Sequence, residues 1–228
     1  MKKRFKLSAS IICGNLLEIG KEIKLLEKGG IDSIHFDVMD GNFVPRFGFP
    51  PEIVKSIKSI SRLPISVHMM VSDPISYAKI FSDAGADSLV IHIESMRNVP
   101  YLIKTLKSLN VKIGLALKIE TPLNRLDEVL NKVDIILLMA IKPGILAQKF
   151  NEQIFNKVQA LREKIKKFSN IDIEVDGGIN VEIGSSLVNL GVNILDCGTS
   201  SIYKNENNLD VQVREFRQSV EKRLKLRI

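Results

Sequence analysis

The 228-residue sequence contains no tryptophan, two cysteines, three histidines and only 6% aromatic residues. Cys13 and Cys197 are too few for a disulfide framework and form no Cys-x-x-Cys pair, which excludes a small disulfide-stapled fold and a cysteine-rich zinc module. Reduced thiols fit a cytoplasmic location, which is the expectation. The longest apolar runs, such as Ile135 to Ile141, have the length of a strand, so no membrane-spanning segment and no membrane partner are expected. The basic start Met1-Lys-Lys-Arg-Phe5 is not followed by a long apolar stretch with a small-residue cleavage site, so no secretion signal is read. The formal charge is +7 and the pI about 9.3. That charge is spread over amphipathic segments and a short tail, Lys222-Arg-Leu-Lys-Leu-Arg227, without interleaved stacking residues, so no nucleic-acid partner is expected. A modest positive field suits an anionic small-molecule substrate.

What is present is a regular alternation. Apolar, β-rich runs begin near Phe5, Ile31, Pro64, Asp87, Val111, Val133, Ile171 and Val192, and amphipathic segments of helical length separate most of them. Ile154, Val158, Leu161, Ile165 and Phe168 follow the 3-4 spacing of one helix face, and Val213, Phe216, Val220 and Leu224 repeat it near the C-terminus. Gly29-Gly30, Gly85 and Gly191 mark ends of the first, third and seventh helices. Asp73-Pro74 and Thr121-Pro122 each set a capping residue before a helix-starting proline. Strands alternating with helices imply a parallel sheet with right-handed crossovers. Eight such units at this length predict an α/β fold, a single (β/α)8 TIM barrel over residues 1–228. A doubly wound open sheet is the alternative, but no Gly-x-Gly-x-x-Gly follows the first strand.

Two strings carry the chemistry: His35-Phe-Asp37-Val-Met-Asp-Gly41 and Glu174-Val-Asp-Gly-Gly178. In a strand, residues i and i+2 share a face, so His35 and Asp37 point the same way. The other histidines also end apolar runs: His68 in Ile65-Ser-Val-His-Met-Met70 and His92 in Leu89-Val-Ile-His-Ile93. Active sites of these barrels lie at the C-terminal ends of the strands. Asp37 on strand 2, His68 on strand 3, His92 on strand 4 and Asp176 on strand 7 therefore share one mouth. An isolated, hydrogen-bonded core residue is the ordinary explanation of one buried histidine. Two His and two Asp converging are a suitable donor set for one divalent ion, zinc first, with iron, manganese or cobalt as alternatives. His92 beside Glu94 is read as a pocket-lining residue.

The loops after strands 7 and 8 often form a phosphate site in this fold. Here they read Asp176-Gly177-Gly178-Ile-Asn180 and Cys197-Gly198-Thr199-Ser200-Ser201. Glycines let backbone N–H groups approach an anion, and helix N-termini following the loops favour it. Asn180 is a candidate N-cap.

With these segments quoted, the chain resembles the ribulose-phosphate 3-epimerase family over nearly its whole length. Ser8-Ala-Ser10, the specific string His35-Phe-Asp-Val-Met-Asp-Gly-Asn-Phe-Val-Pro45, Val67-His-Met-Met70, Leu138-Met139 with Pro143-Gly144, and Glu174-Val-Asp-Gly-Gly178 carry the resemblance. It implies a divalent metal held by His35, Asp37, His68 and Asp176. It also implies that Asp37 and Asp176 are the catalytic acid/base pair, that Ser10 contacts substrate, and that Met39, Met70 and Met139 cap the reacting centre. The substrate expected is a phosphorylated ketose, with D-ribulose 5-phosphate and D-xylulose 5-phosphate interconverted through an enediolate. A homo-oligomer is expected.

The chain departs from the family pattern in places. Pro143-Gly-Ile-Leu-Ala-Gln148 stands where the family usually has Pro-Gly-Phe-Gly-Gly-Gln, losing two glycines, at Leu146 and Ala147, and the aromatic at Ile145. Ala140 replaces the usual Ser or Thr, and Arg46 opens a changed Arg46-Phe-Gly-Phe-Pro50 segment. Cys13, Leu16-Leu17 and Gly198-Thr-Ser200 are closer to allulose-6-phosphate 3-epimerases. The alternatives are therefore a D-allulose 6-phosphate 3-epimerase or a non-catalytic sugar-phosphate-binding paralogue. A lyase on the same barrel is disfavoured because His68-Met-Met-Val-Ser-Asp73 lacks the lysine of the Asp-x-Lys-x-x-Asp pattern.

Overall fold

The computed structural model describes residues 5–145, 148–204 and 208–225. Eight parallel strands close in sequence order into a barrel. They are β1 (Lys6–Ser10), β2 (Ser33–Met39), β3 (Ile65–Met70), β4 (Ser88–His92), β5 (Lys112–Leu117), β6 (Ile135–Met139), β7 (Asp172–Asp176) and β8 (Ile194–Cys197). Every strand begins within two residues of its sequence-based expectation. The ring is sealed where β1 pairs with β8, with Ser8 opposite Asp196.

The α-helices among the described residues are α1 (Ile19–Gly29), α2 (Pro51–Ile60), α3 (Pro74–Asp83), α4 (Val99–Leu106), α5 (Gln153–Lys164), α6 (Val181–Asn189) and α7 (Leu209–Lys225). Asp73 caps α3, its carboxylate accepting from the Ser76 N–H and hydroxyl, and Pro74 opens the helix. Gly30 ends α1 at φ 84°, a left-handed conformation open to glycine at no steric cost. Ile154, Val158 and Leu161 are buried on α5; the helix stops at Lys164, so Ile165 and Phe168 of the expected face lie beyond it. Val213, Phe216, Val220 and Leu224 all bury on α7.

The alternation of the strands separates two layers. Outward residues such as Leu7, Phe36, Val67, Leu89, Leu115, Leu138, Val175 and Leu195 join the helices in one continuous apolar core. The inner wall divides by chemistry. On β5 and β6 it is apolar, with Ala116, Ile135, Leu137 and Met139 in contact with Val90 of β4. On β7, β8 and β1 to β4 most buried residues of opposite alternation are polar: Glu174, Asp196, Ser8, Ser10, His35, Asp37, Ser66, His68, Ser88 and His92, with Met39 and Met70 closing the ends of β2 and β3. Buried polar groups persist only where they are satisfied or used, so this half of the wall is where function belongs.

One expected helix is absent. After β5 the chain makes two 3-10 turns, Leu123–Leu126 and Leu130–Lys132, so Gly191 ends the sixth α-helix rather than a seventh. Thr121 does not cap a helix; its hydroxyl donates to Glu94 instead. Lys157 of α5 reaches under the segment and donates to the carbonyls of Lys118 (2.6 Å), Ile119 (3.0 Å) and Thr121 (2.6 Å). A single ammonium thus satisfies three carbonyls that an ordinary crossover helix would leave to its own ladder. Lys157→Met should remove all three bonds while keeping most of the apolar stem. The expected loss is about 1–3 kcal/mol of stability, read as a lowered urea midpoint with an unchanged slope; an unchanged midpoint would show that solvent replaces the ammonium.

Candidate active site

The sequence string His35-Phe-Asp37 sits on β2 and sends both side chains inward. Asp37 is opposite His68 in the β2–β3 register. Its Oδ1 is the point of convergence: His35 Nε2 stands 3.2 Å away and His68 Nδ1 3.3 Å away. The other oxygen, Oδ2, accepts the Ser10 hydroxyl from β1 at 3.0 Å. His35, Asp37 and His68 are all buried. Burial alone would raise the Asp37 pKa, but the two histidines outweigh it and hold the carboxyl far below its ordinary range. Burial pushes His68 down to about 4, against the pull of Asp37.

His35 has a second set of neighbours. Its Nδ1 lies 3.2 Å from Asp196 Oδ1 on β8 and 3.7 Å from Glu174 Oε1 on β7. Burial opposes a charged imidazole there, yet Asp196 and Asp37 together raise its pKa well above the ordinary value. Asp176 at the end of β7 is driven the other way from Asp37: burial first, then the charges of Asp37 and Glu174, push it up to about 6 despite His35.

The residues fit a divalent cation. Donor atoms of His35, Asp37 and His68 lie within 4.8 Å of one another, and so do those of His35, Asp176 and Asp196. The expected four-residue set therefore spans two overlapping groups that share His35. Two ring nitrogens converging on one buried carboxylate oxygen form a mixed nitrogen–oxygen set suited to a borderline ion such as zinc.

Above this cluster lies a cavity of about 100 Å³. Ser10, Asp37, Met39, Met70, Met139, Gly144 and Asp176 line it, with Cys13, Arg46 and Ile145. All three methionines are buried; Met39 and Met70 pack with Val44, and Met139 belongs to the apolar inner wall. Gly177, Gly178, Gly198, Thr199 and Ser200 do not line the cavity. Gly177 and Gly178 have φ of 113° and 65° and carry the chain from β7 to Asn180, whose side chain accepts from the Ile183 N–H and caps α6. A side chain at Gly177 would also meet Ile141 at 2.6 Å. After β8 no helix starts at once: the N–H groups of Ser201, Ile202 and Tyr203 turn back to the Gly198 carbonyl, and α7 begins only at Leu209. The helix-terminus argument for phosphate thus applies to the loop after β7 and not to the loop after β8. Leu146 and Ala147 lie outside the described residues; beside them Gln148 bonds Lys142 N–H and carbonyl and the Ile145 carbonyl.

Sequence reasoning missed Asp196 and the part played by Glu174. The i, i+2 rule that joins His35 to Asp37 also joins Glu174 to Asp176. Asp196 was visible only as a lone acid inside Ile194-Leu-Asp-Cys197. A larger cavity of about 490 Å³ opens at the opposite, N-terminal end of the barrel, against Ser66, Ser88 and Glu174, and lies away from Asp37 and Asp176.

No helix among the described residues is long and apolar enough to cross a membrane. Among solved structures, KGPDC from Streptococcus mutans superposes with a TM-score of 0.75 at 18% identity, covering 96% of this chain and 99% of that one. That likeness establishes the fold. Sequence relatives are much nearer. The chain is 38% identical over 202 residues to a ribulose-phosphate 3-epimerase of Bacillus subtilis, covering 87% of this chain and 92% of that protein. It is 39% identical over 219 residues to one of Buchnera aphidicola subsp. Baizongia pistaciae, covering 94% and 95%. The profile of the Ribulose-phosphate 3 epimerase family matches residues 6–203, and with His35, Asp37, His68 and Asp176 gathered at the barrel mouth the chain belongs to that family.

Proposed function

We propose that this chain is a metal-dependent 3-epimerase that interconverts D-ribulose 5-phosphate and D-xylulose 5-phosphate, an isomerase of sugar phosphates. The observation that carries the reading is that Asp37 and Asp176, from strands three steps apart around the ring, both open onto one small cavity roofed by methionines. His35, Asp37, His68 and Asp176 would hold the divalent ion, and that ion when bound would stabilise negative charge developing on the substrate oxygens.

The remaining chemistry belongs to the side chains. Inverting C3 beside a ketone requires breaking a C–H bond on one face and making one on the other. One aspartate takes the proton, leaving a flat enediolate; the other delivers a proton from the opposite side. Ser10 orients Asp37 by donating to Oδ2, so that carboxylate cannot rotate freely. Met39, Met70 and Met139 offer soft apolar contact that excludes water without donating hydrogen bonds to the intermediate. Arg46 on the cavity wall and the N–H groups of Gly177, Gly178, Gly198, Thr199 and Ser200 are the groups proposed to meet the phosphate.

Asp37→Asn and Asp176→Asn should each lower turnover by at least about 10²-fold, measured by coupled assay and by deuterium exchange at C3 in heavy water. Normal exchange in either variant would rule out the two-acid mechanism. Purified protein should carry one divalent ion per chain, lost in His35→Ala or His68→Ala; full metal content in both variants would remove these ligands from the assignment. Unphosphorylated ribulose should react with a much lower kcat/KM than ribulose 5-phosphate, because remote binding energy also lowers the barrier. Equal kcat/KM for the two sugars would dismiss the phosphate site.

A further inference from the structure

The proposed chemistry uses His35 and His68 and leaves the third histidine without a task. His92 is fully buried at the end of β4, next to His68 and not next to the substrate cavity. Its Nε2 is 3.0 Å from His68 Nε2, and its Nδ1 is 2.9 Å from Glu94 Oε2. The other oxygen of Glu94 accepts the Lys118 N–H at 2.9 Å and the Thr121 hydroxyl. The chain of contacts therefore runs from the β5 turn through Glu94, His92 and His68 to Asp37 Oδ1.

Hydrogen positions follow from one end of this chain to the other. Glu94 receives two donors on Oε1 and faces the His92 ring with Oε2, the surroundings of an ionised acceptor. A carboxylate at 2.9 Å needs a hydrogen on His92 Nδ1. Full burial acts against a second proton on His92, which would put a charge in the barrel interior. Its Nε2 is then a lone pair, and a contact of 3.0 Å to another ring nitrogen requires the hydrogen to sit on His68 Nε2. His68 is left with a bare Nδ1. That lone pair points at Asp37 Oδ1, also an acceptor, across 3.3 Å. Two acceptors at that separation have no hydrogen to share, and a cation reconciles them.

We infer that Glu94 and His92 are positioning residues that fix the Nε2–H tautomer of His68 and so present its Nδ1 lone pair to the metal-holding side of Asp37. The inference rests on the metal site proposed above. Such outer partners fix the orientation and tautomer of a ligating histidine, and their loss costs about 10–100-fold in metal affinity. Glu94 accomplishes this from the place where the crossover helix is missing, since its Oε1 partners come from the Lys118–Thr121 turn.

The test is Glu94→Gln, which keeps shape and volume. The amide oxygen must remain toward Lys118 N–H and Thr121, leaving the NH2 group facing His92 Nδ1. That nitrogen then has to accept, the hydrogen moves to His92 Nε2, and His68 is forced into the Nδ1–H form. Nitrogen-15 NMR of histidine-labelled, chelator-treated full-length protein reads the tautomer without reference to metal or activity. The expected result is Nε2–H on His68 in the wild type and Nδ1–H in Glu94→Gln, together with about 10–100-fold weaker zinc binding by chelator competition. Thr121→Val, which removes one donor and leaves the carboxylate, should keep the wild-type tautomer. An Nδ1–H His68 in the wild type, or an unchanged tautomer in Glu94→Gln, would overturn the inference. Failure of the wild type to bind zinc, with the tautomers as expected, would instead fall on the metal reading alone.

Discussion

One carboxylate oxygen organises the centre of this molecule. Asp37 Oδ1 is approached by ring nitrogens from two strands, while Oδ2 is held by Ser10 from a third. A buried charge in that position is costly unless it is paired and hydrogen-bonded. The surrounding side chains are arranged to meet that condition: His35 bridges Asp37 to Asp196, and His68 bridges it to His92 and Glu94. The network anchored on this one aspartate thus reaches through His92 onto β4, whereas β5 and β6 bring only apolar packing to the inner wall.

The division also explains the cavity. The polar network occupies the depth of the barrel on one side, the methionines close over its mouth, and the space between them is reached by Asp37 and Asp176. These two acids are displaced in opposite directions, Asp37 held down by its histidines and Asp176 raised by burial and neighbouring negative charge. Similar side chains on the same barrel acquire different proton affinities through their surroundings, a division that the proposed acid and base roles would use.

Much of this was legible in the residues. Strand starts, the caps at Asp73 and Asn180, and the inward pair His35 and Asp37 follow from alternation, capping chemistry and the i, i+2 rule. The absent crossover helix was not legible, because the features that decide it are distant: Lys157 gathers three carbonyls from another element, and Thr121 is drawn to Glu94 rather than to a helix end. The contact of His92 with His68 was hidden for a similar reason. In the register His68 is opposite Val90, so His92 lies diagonally across from it, two residues further along β4. Local pattern locates a residue on a face; it does not say which diagonal neighbour the barrel's stagger will supply. Asp196 illustrates the same point, since its meaning comes from His35 on a strand two places away.

The most direct measurement is anomalous diffraction at the zinc edge from crystals of the zinc-loaded protein. The account expects one ordered ion between His35 Nε2, Asp37, His68 Nδ1 and Asp176, with nitrogen and oxygen distances of about 2.0–2.2 Å. An ion bound through His68 Nε2, an ion held elsewhere, or no ordered ion at the Asp37 carboxylate would contradict it.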